Sequence, residues 1–552
     1  MGETWIPGLG QAVAPIVFVT GIGQTWSTLR DDTKHRWNLF PDDKEVLFRD
    51  YPKGGKRRLA RLAAQAAVRC VTGLPVLRKK SIDTAMQDLF RWCTVDQSGK
   101  LPDRVEVRIY GARSFDKLAH VDFETGAYTD RFDASLLARI YKDIPCGSLA
   151  DSFGAQNLYC FNYSTFSDIY ADADALHRML EEVIADQRDK TGAKKVILVP
   201  MSMGATVVSA YLDKYYTDTG SIGENLVEKV VSIVGAWDGS DGLADLLACN
   251  GGEGWRTRFY GDFLPAMLGD KQWLLHLLRK KATDDTLRQL LDGALDNLLL
   301  NTSAFLALLP LARFDALAEK LFSPARMQRL PRIRAVRAEA DAYHAAQQNL
   351  RHRLYAIREN CGVGFYFLCG YGMLFGNGGS DFDFLKLFDS AEKTNSDTVI
   401  QVSSTAPGTS FVKPGERFAD SAGRRLSPDG SVDAATAWFP ETSWYFAGQE
   451  HELGHNTTAL KLAIDIALGK VADVHTPYYP QFNESRDVRP AMAALEKAQA
   501  LLAAPQLSAE EKRTLAQRAD AVETMLACTV NRRKEDDDTV HKLLAQLETL
   551  QH

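Results

Sequence analysis

The chain has 552 residues, a net charge of −6 and a pI near 6.0, so it carries no global basic field of the kind that makes nucleic acid a main partner. Its 25% charged and 45% hydrophobic residues suit a globular protein, and its length exceeds one simple core, which implies a large domain with insertions or several domains. Eight scattered cysteines without a C-x-x-C read as thiols of a reducing compartment, with an oxidised pair such as Cys361–Cys369 left open.

Residues 1–15 show no basic stretch followed by an apolar one, so no signal peptide is expected. The longest membrane candidate, residues 62–77, is interrupted by Arg69 and too short to span. A cytoplasmic or peripheral membrane protein is expected. Pro15–Thr20 (PIVFVT) predicts a buried strand that runs into the glycine loop Gly21-Ile22-Gly23. Lys53–Lys80 gathers nine basic residues around an apolar middle. It is either an amphipathic element drawn to anionic headgroups or a solvated basic helix face.

Val105–Tyr110 alternates like a strand, and Leu158–Tyr163 (LYCFNY) predicts another, followed by a helix from Asp168 to Lys190. The strand Val196–Val199 meets Pro200-Met201-Ser202-Met203-Gly204, and a helix then extends to Tyr216. Val227–Val234 is the next strand. Strands alternating with helices at these lengths imply a parallel sheet covered on both faces. From 250 to 360 the apolar spacing is helical throughout, as in a cap insertion. Strand character returns at Gly364–Leu368 and Val399–Val402, and Gly408–Trp438 is a turn-rich hairpin or loop excursion. A helix is expected from Asn456 to Leu468, and after Pro490 the tail is helical with heptad-like spacing. The resulting division is 1–249 and 361–480 for an α/β core, 250–360 for the helical cap and 481–552 for a helical extension.

A serine between a strand and a helix can be a plain helix N-cap or a nucleophile raised above the sheet edge. A nucleophilic serine needs a base, an acid that fixes the tautomer of that base, and donors for the oxyanion. Downstream of Ser202 the chain offers Asp397 and then His451, in the order Ser, Asp, His. The N–H groups of Ile22 and Met203 are the expected oxyanion donors.

These pieces resemble the lecithin:cholesterol acyltransferase-like lipases. The matching segments are PIVFVTGIG, CFNYSTFSD, the elbow VPMSMGA, Gly235-Ala236-Trp237-Asp238-Gly239-Ser240, Ser396-Asp397-Thr398-Val399, and a histidine ahead of a final helix. The resemblance spans roughly 13–245 and 360–470 and departs at Pro200, which makes the elbow P-x-S-x-G, and in the turn-rich insertion between acid and histidine. It implies an α/β-hydrolase fold, no cofactor, and a lipid ester, chiefly a glycerophospholipid, whose acyl group passes to water or an alcohol.

Two other readings stand beside it. His451-Glu452-Leu453-Gly454-His455 is a literal H-E-x-x-H, which on a helix would bind zinc with Glu452 as base and Glu484 as a conceivable third ligand. Alternatively, the chain is a catalytically silent α/β-hydrolase scaffold whose cap and tail bind a partner. His455 otherwise suits a capping or surface role, and His177 a surface position. Trp237 and Asp238 fit a pocket wall or the core, and Asp381 and Asp383 are rival acids that turn chemistry also explains.

Overall fold

Seven short strands, most of them apolar runs, lie side by side, all parallel. They are β1 (Ile16–Val19), β2 (Leu158–Phe161), β3 (Val196–Pro200), β4 (Val227–Ile233), β5 (Gly364–Tyr371), β6 (Ser443–Ala447) and β7 (Phe482–Glu484). Their spatial order is β7-β6-β5-β4-β3-β1-β2. The computed structural model describes residues 14–22, 27–30, 36–39, 45–107, 111–122, 128–129, 131–132, 136–137, 140, 153–248, 276–376, 385, 390, 393–452, 457–476, 479–484, 489–503, 507–528 and 534–550.

Side chains of a strand alternate between faces, so an uninterrupted apolar run is buried on both. β1 shows this directly. Val17 and Val19 join Phe161 and Leu198 in one core, while Ile16 and Phe18 join Ile197 and Val199 in the other. The longer helices are, in chain order, α1 (Gly55–Thr72), α2 (Lys79–Phe90), α3 (Ile169–Thr191), α4 (Gly204–Tyr215), α5 (Lys280–Asn297), α6 (Leu311–Leu321), α7 (Ile333–Gln348), α8 (Leu350–Cys361), α9 (Thr457–Ala467), α10 (Arg489–Ala503), α11 (Ala509–Cys528) and α12 (Lys534–Leu550). Leu176 and Leu180 of α3 and Val207 and Tyr211 of α4 cover the first face. Leu460, Ala463 and Ile464 of α9 cover the second.

Several expectations change. Val105–Val107 is a strand, but it pairs antiparallel with Ser27–Arg30, which also pairs with Arg36–Asn38, in a separate small sheet. Residues 108–110 lie outside the described residues. Val399–Val402 is not a strand. The chain bends from Asp397 to Gln401 and enters a short helix, Val402–Thr405. The N–H groups of Val399 and Ile400 are taken by the Asp397 carboxylate, so they cannot serve a ladder. β6 and the three-residue β7 are strands that the sequence pattern did not predict. The Gly408–Trp438 stretch carries a small hairpin, Ser410–Phe411 against Val432–Asp433. Cys361 and Cys369 are both free thiols.

The helical layer is not confined to 250–360. Leu59 and Leu62 of α1, Ile82 and Met86 of α2 and Leu290 of α5 share one apolar cluster, so a segment ahead of the elbow packs on a segment after it. α10, α11 and α12 enclose a core of their own, including Ala498, Leu515, Val522 and Leu543. Among the described residues, no helix is long and apolar enough to cross a membrane.

Candidate active site

β3 ends at Pro200 and α4 begins at Gly204, which leaves three residues for the turn. Ser202, in the middle, has φ +50°, a left-handed conformation that is costly for a non-glycine residue. The turn is held on all sides. Met201 N–H donates to Val19 O at 3.0 Å, Gly204 N–H to Met201 O at 2.7 Å, and Ala236 N–H to Ser202 O at 2.9 Å. The strain therefore rests on surrounding backbone bonds and lifts the side chain out of the β3–α4 corner.

His451 Nε2 lies 2.8 Å from Ser202 Oγ, and His451 Nδ1 lies 2.8 Å from Asp397 Oδ2. A carboxylate only accepts, so Nδ1 carries the proton and Nε2 is left to accept from the serine hydroxyl. Asp397 is fully buried and His451 is 13% exposed by side chain. The buried charge is compensated. Its Oδ1 accepts the N–H groups of Val399 at 3.0 Å and Ile400 at 2.8 Å, and Thr398, with φ +85°, bends the backbone to aim them.

The acid loop rests on a second layer of bonds. Buried Asn395 donates to Val412 O and Ser431 Oγ, both at 3.1 Å, and accepts from Gly372 N–H at 2.7 Å. Ser396 Oγ donates to Met373 O at 3.1 Å and accepts from Thr398 N–H at 3.0 Å. Val412 and Ser431 belong to the turn-rich excursion, so that insertion buttresses the acid. At the end of β5, a Cβ on Gly370 would lie 2.4 Å from Gln449 O and 3.0 Å from Asp397 Cβ. Only glycine lets the acid and the approach to His451 come this close.

The two residues expected to hold the oxyanion lie in segments next to Ser202. A Cβ on Gly21 would fall 2.7 Å from Ser202 Cβ and 3.3 Å from its Oγ, which puts the loop carrying Ile22 against the serine. Met203 follows the serine directly and caps α4. Thr20, just before this loop, is pinned by Tyr163, whose hydroxyl donates to Thr20 O at 2.8 Å. Gly23 lies outside the described residues.

Ser202, Asp397 and His451 are thus brought together from three separate strand ends. Of the zinc motif, His451 and Glu452 lie in a helical turn ahead of α9, which starts at Thr457, and residues 453–455 lie outside the described residues. Both ring nitrogens of His451 are engaged by Asp397 and Ser202. His455, Asp381 and Asp383 lie outside the described residues. Glu484 is the last residue of β7, in register with Ala447. Among the described residues, no group of three His, Cys, Asp or Glu is arranged to hold a metal ion.

Trp237 is a core residue and not a pocket wall. It is 1% exposed, donates to Ser232 Oγ at 2.9 Å and meets Phe367 edge to face. Asp238 turns instead toward the helical layer and accepts Leu311 N–H, the first donor of α6, at 2.8 Å. His177 is not a plain surface residue, because its ring stacks on Tyr215 at 3.8 Å between centroids.

Sequence reasoning named Gly21 only as part of the glycine loop, and it missed the supports Asn395, Tyr163 and Gly370. The glycines were visible as letters, but nothing local marks which backbone they admit. SWYFA before His451 was the one readable signal for the missing strand β6.

No protein-family model matches the chain, and no curated protein matches it. Among solved structures, one described as "The crystal structure of Tle4-Tli4 complex" matches at 15% identity and a TM-score of 0.29, covering 65% of this chain and 75% of that one. A likeness of that size carries no argument about function.

Proposed function

We propose that the chain is a serine hydrolase of the α/β-hydrolase fold that forms an acyl-enzyme from an ester. The observation that carries this reading is the unbroken chain from Asp397 through His451 to Ser202, with both contacts at 2.8 Å. The strand order supports it, with the serine after β3, the acid after β5 and the histidine after β6, in the chain order of that fold.

Ser202 Oγ attacks the ester carbonyl while His451 Nε2 takes its proton, and the imidazolium formed is stabilised by Asp397. The N–H groups of Ile22 and Met203 hold the oxyanion. The imidazolium then gives the proton to the departing alkoxide. Water or an alcohol, deprotonated in turn by His451, releases the acyl group. None of these steps calls on a cofactor. The resemblance to lecithin:cholesterol acyltransferase-like lipases in the loop, elbow and acid motifs supports a lipid ester as substrate, with the helical layer as the cap.

A fluorophosphonate probe tests the reading. It should label the native chain at Ser202 and fail on Ser202→Ala, and a native chain that resists labelling would remove the proposal. Turnover of phospholipid vesicles against a soluble short-chain ester then tests the substrate class.

A further inference from the structure

Among the described residues, the C-terminal end of α1 carries several exposed apolar side chains. One side of α1 is used: Leu62 is 4% exposed and packs with Ile82 and Leu290. Beyond it the pattern fails. Val68 is 44%, Val71 41% and Leu74 55% exposed. Val68 and Val71 are neighbours on one helix face, and Leu74 follows the left-handed Gly73 that ends the helix. A second segment, distant in sequence, joins this end. Arg279 N–H donates to Cys70 O at 2.7 Å, and two residues earlier Leu277 is 48% exposed.

The two segments that meet at this end are cationic. Residues 53–80 and 276–281 contain twelve Lys and Arg and no Asp or Glu, in a chain whose net charge is −6. Some of these cations are structural, since Arg58 pairs with Asp88 and Lys79 with Asp83 and Asp296. Arg57, Arg61, Arg78 and Lys80 are exposed.

We infer that this end of the helical layer docks on an anionic lipid bilayer, with Val71, Leu74 and Leu277 entering the headgroup boundary and the basic residues meeting lipid phosphates. The two features together select the partner. A nucleic acid would satisfy the charge but offers no apolar phase for Leu74 and Leu277. A second copy of this chain would set two basic rims against each other. An anionic bilayer satisfies both.

The inference does not depend on the catalytic reading, and its test keeps the two apart by using full-length Ser202→Ala protein, which cannot consume the vesicles through that serine. Binding is measured by flotation with vesicles of phosphatidylcholine alone and of phosphatidylcholine with phosphatidylglycerol. The expected result is binding to the anionic vesicles only, weakened by added salt. It should also fall roughly tenfold or more in Val71→Asp/Leu74→Asp and in Arg78→Glu/Lys80→Glu. These side chains are exposed, so thermal melting should match the parent and report intact folding. Equal affinity for both vesicle types, or variants that bind like the parent, would overturn the inference. So would a concentration-dependent dimer that Leu74→Asp abolishes.

Discussion

In the proposed mechanism Ser202, His451 and Asp397 act as one unit, because the base is useful only in the tautomer the acid imposes. Ser202→Ala and His451→Ala should each abolish ester turnover, and removing either should cost nearly as much as removing both. Asp397→Asn should lose on the order of 10³–10⁴-fold in kcat, since an amide can donate to Nδ1 and stabilise the wrong tautomer. Steady-state kinetics on purified variants checks this, and wild-type rates in any of them would break the assignment. Gly21 offers a sharper probe of the geometry. Its missing side chain leaves room for Ser202, and a Cβ there would sit 2.7 Å from Ser202 Cβ. Gly21→Ala must displace the serine or the loop, and misplacement of about 1 Å is worth on the order of 10²-fold in rate. The expected outcome is a loss of that size in kcat/KM with the far-ultraviolet circular dichroism of the parent.

Elements are joined here by buried charge. The loop after β4 touches two of them at once. Ser240 Oγ donates to Val399 O beside the acid at 2.6 Å, and Asp238 accepts the first N–H of α6. Burial pushes Asp238 up to about 6, the Asp241 carboxylate nearby adds to the rise, and the Leu311 N–H opposes it. Between the ordinary value of 3.8 and about 6, the folded chain keeps a proton that the unfolded chain has released. The contribution of Asp238 to stability is therefore full below that window and lost as pH rises through it. Asp238→Asn cannot ionise, so its stability relative to the parent should improve across this range by roughly 3 kcal/mol at most. Denaturant unfolding at pH values on either side of the window checks the sign. Asp296 on α5 is the opposite case. Its side chain is 2% exposed and meets Lys79 of α2 as well as Arg326 and Arg329. Burial alone would raise its pKa, and these cations more than reverse that and hold it low. Its contribution is present above the ordinary carboxylate range and fades as pH falls. Asp296→Ala removes a buried carboxylate but leaves Lys79 and Arg329 with Asp83, and Arg326 with Asp292, so it should destabilise the chain at neutral pH by about 1–3 kcal/mol.

At the scale of the molecule, the core, the helical layer and the C-terminal helices have separate apolar centres. α10, α11 and α12 follow the last strand of the sheet, so removal of residues 489–552 leaves β7 and all three proposed catalytic side chains in the chain. The shortened protein should keep probe labelling at Ser202, and loss of labelling with a retained fold would show that the bundle supports the site. The sequence by itself determined what is encoded locally. Apolar runs of four to seven residues marked β1 to β4 as buried strands, and the strand–turn–helix around Ser202 marked the elbow. The order of Ser202, Asp397 and His451 needed no structure to read. The rest required contacts that leave no local trace. Ser202 and His451 are 249 residues apart in the sequence and Asp397 and His451 are 54 apart, so no pattern in either neighbourhood reports their 2.8 Å contacts. Val399 to Val402 has the composition of a strand, yet the Asp397 carboxylate claims its first two N–H groups and turns it into a loop. β6 and the three-residue β7 lie in a turn-rich stretch with no alternation of strand and helix to mark them, and parallel pairing places them, β6 on β5 and β7 on β6. α1 and α2 join α5 from the far side of the elbow because only tertiary packing buries their apolar faces.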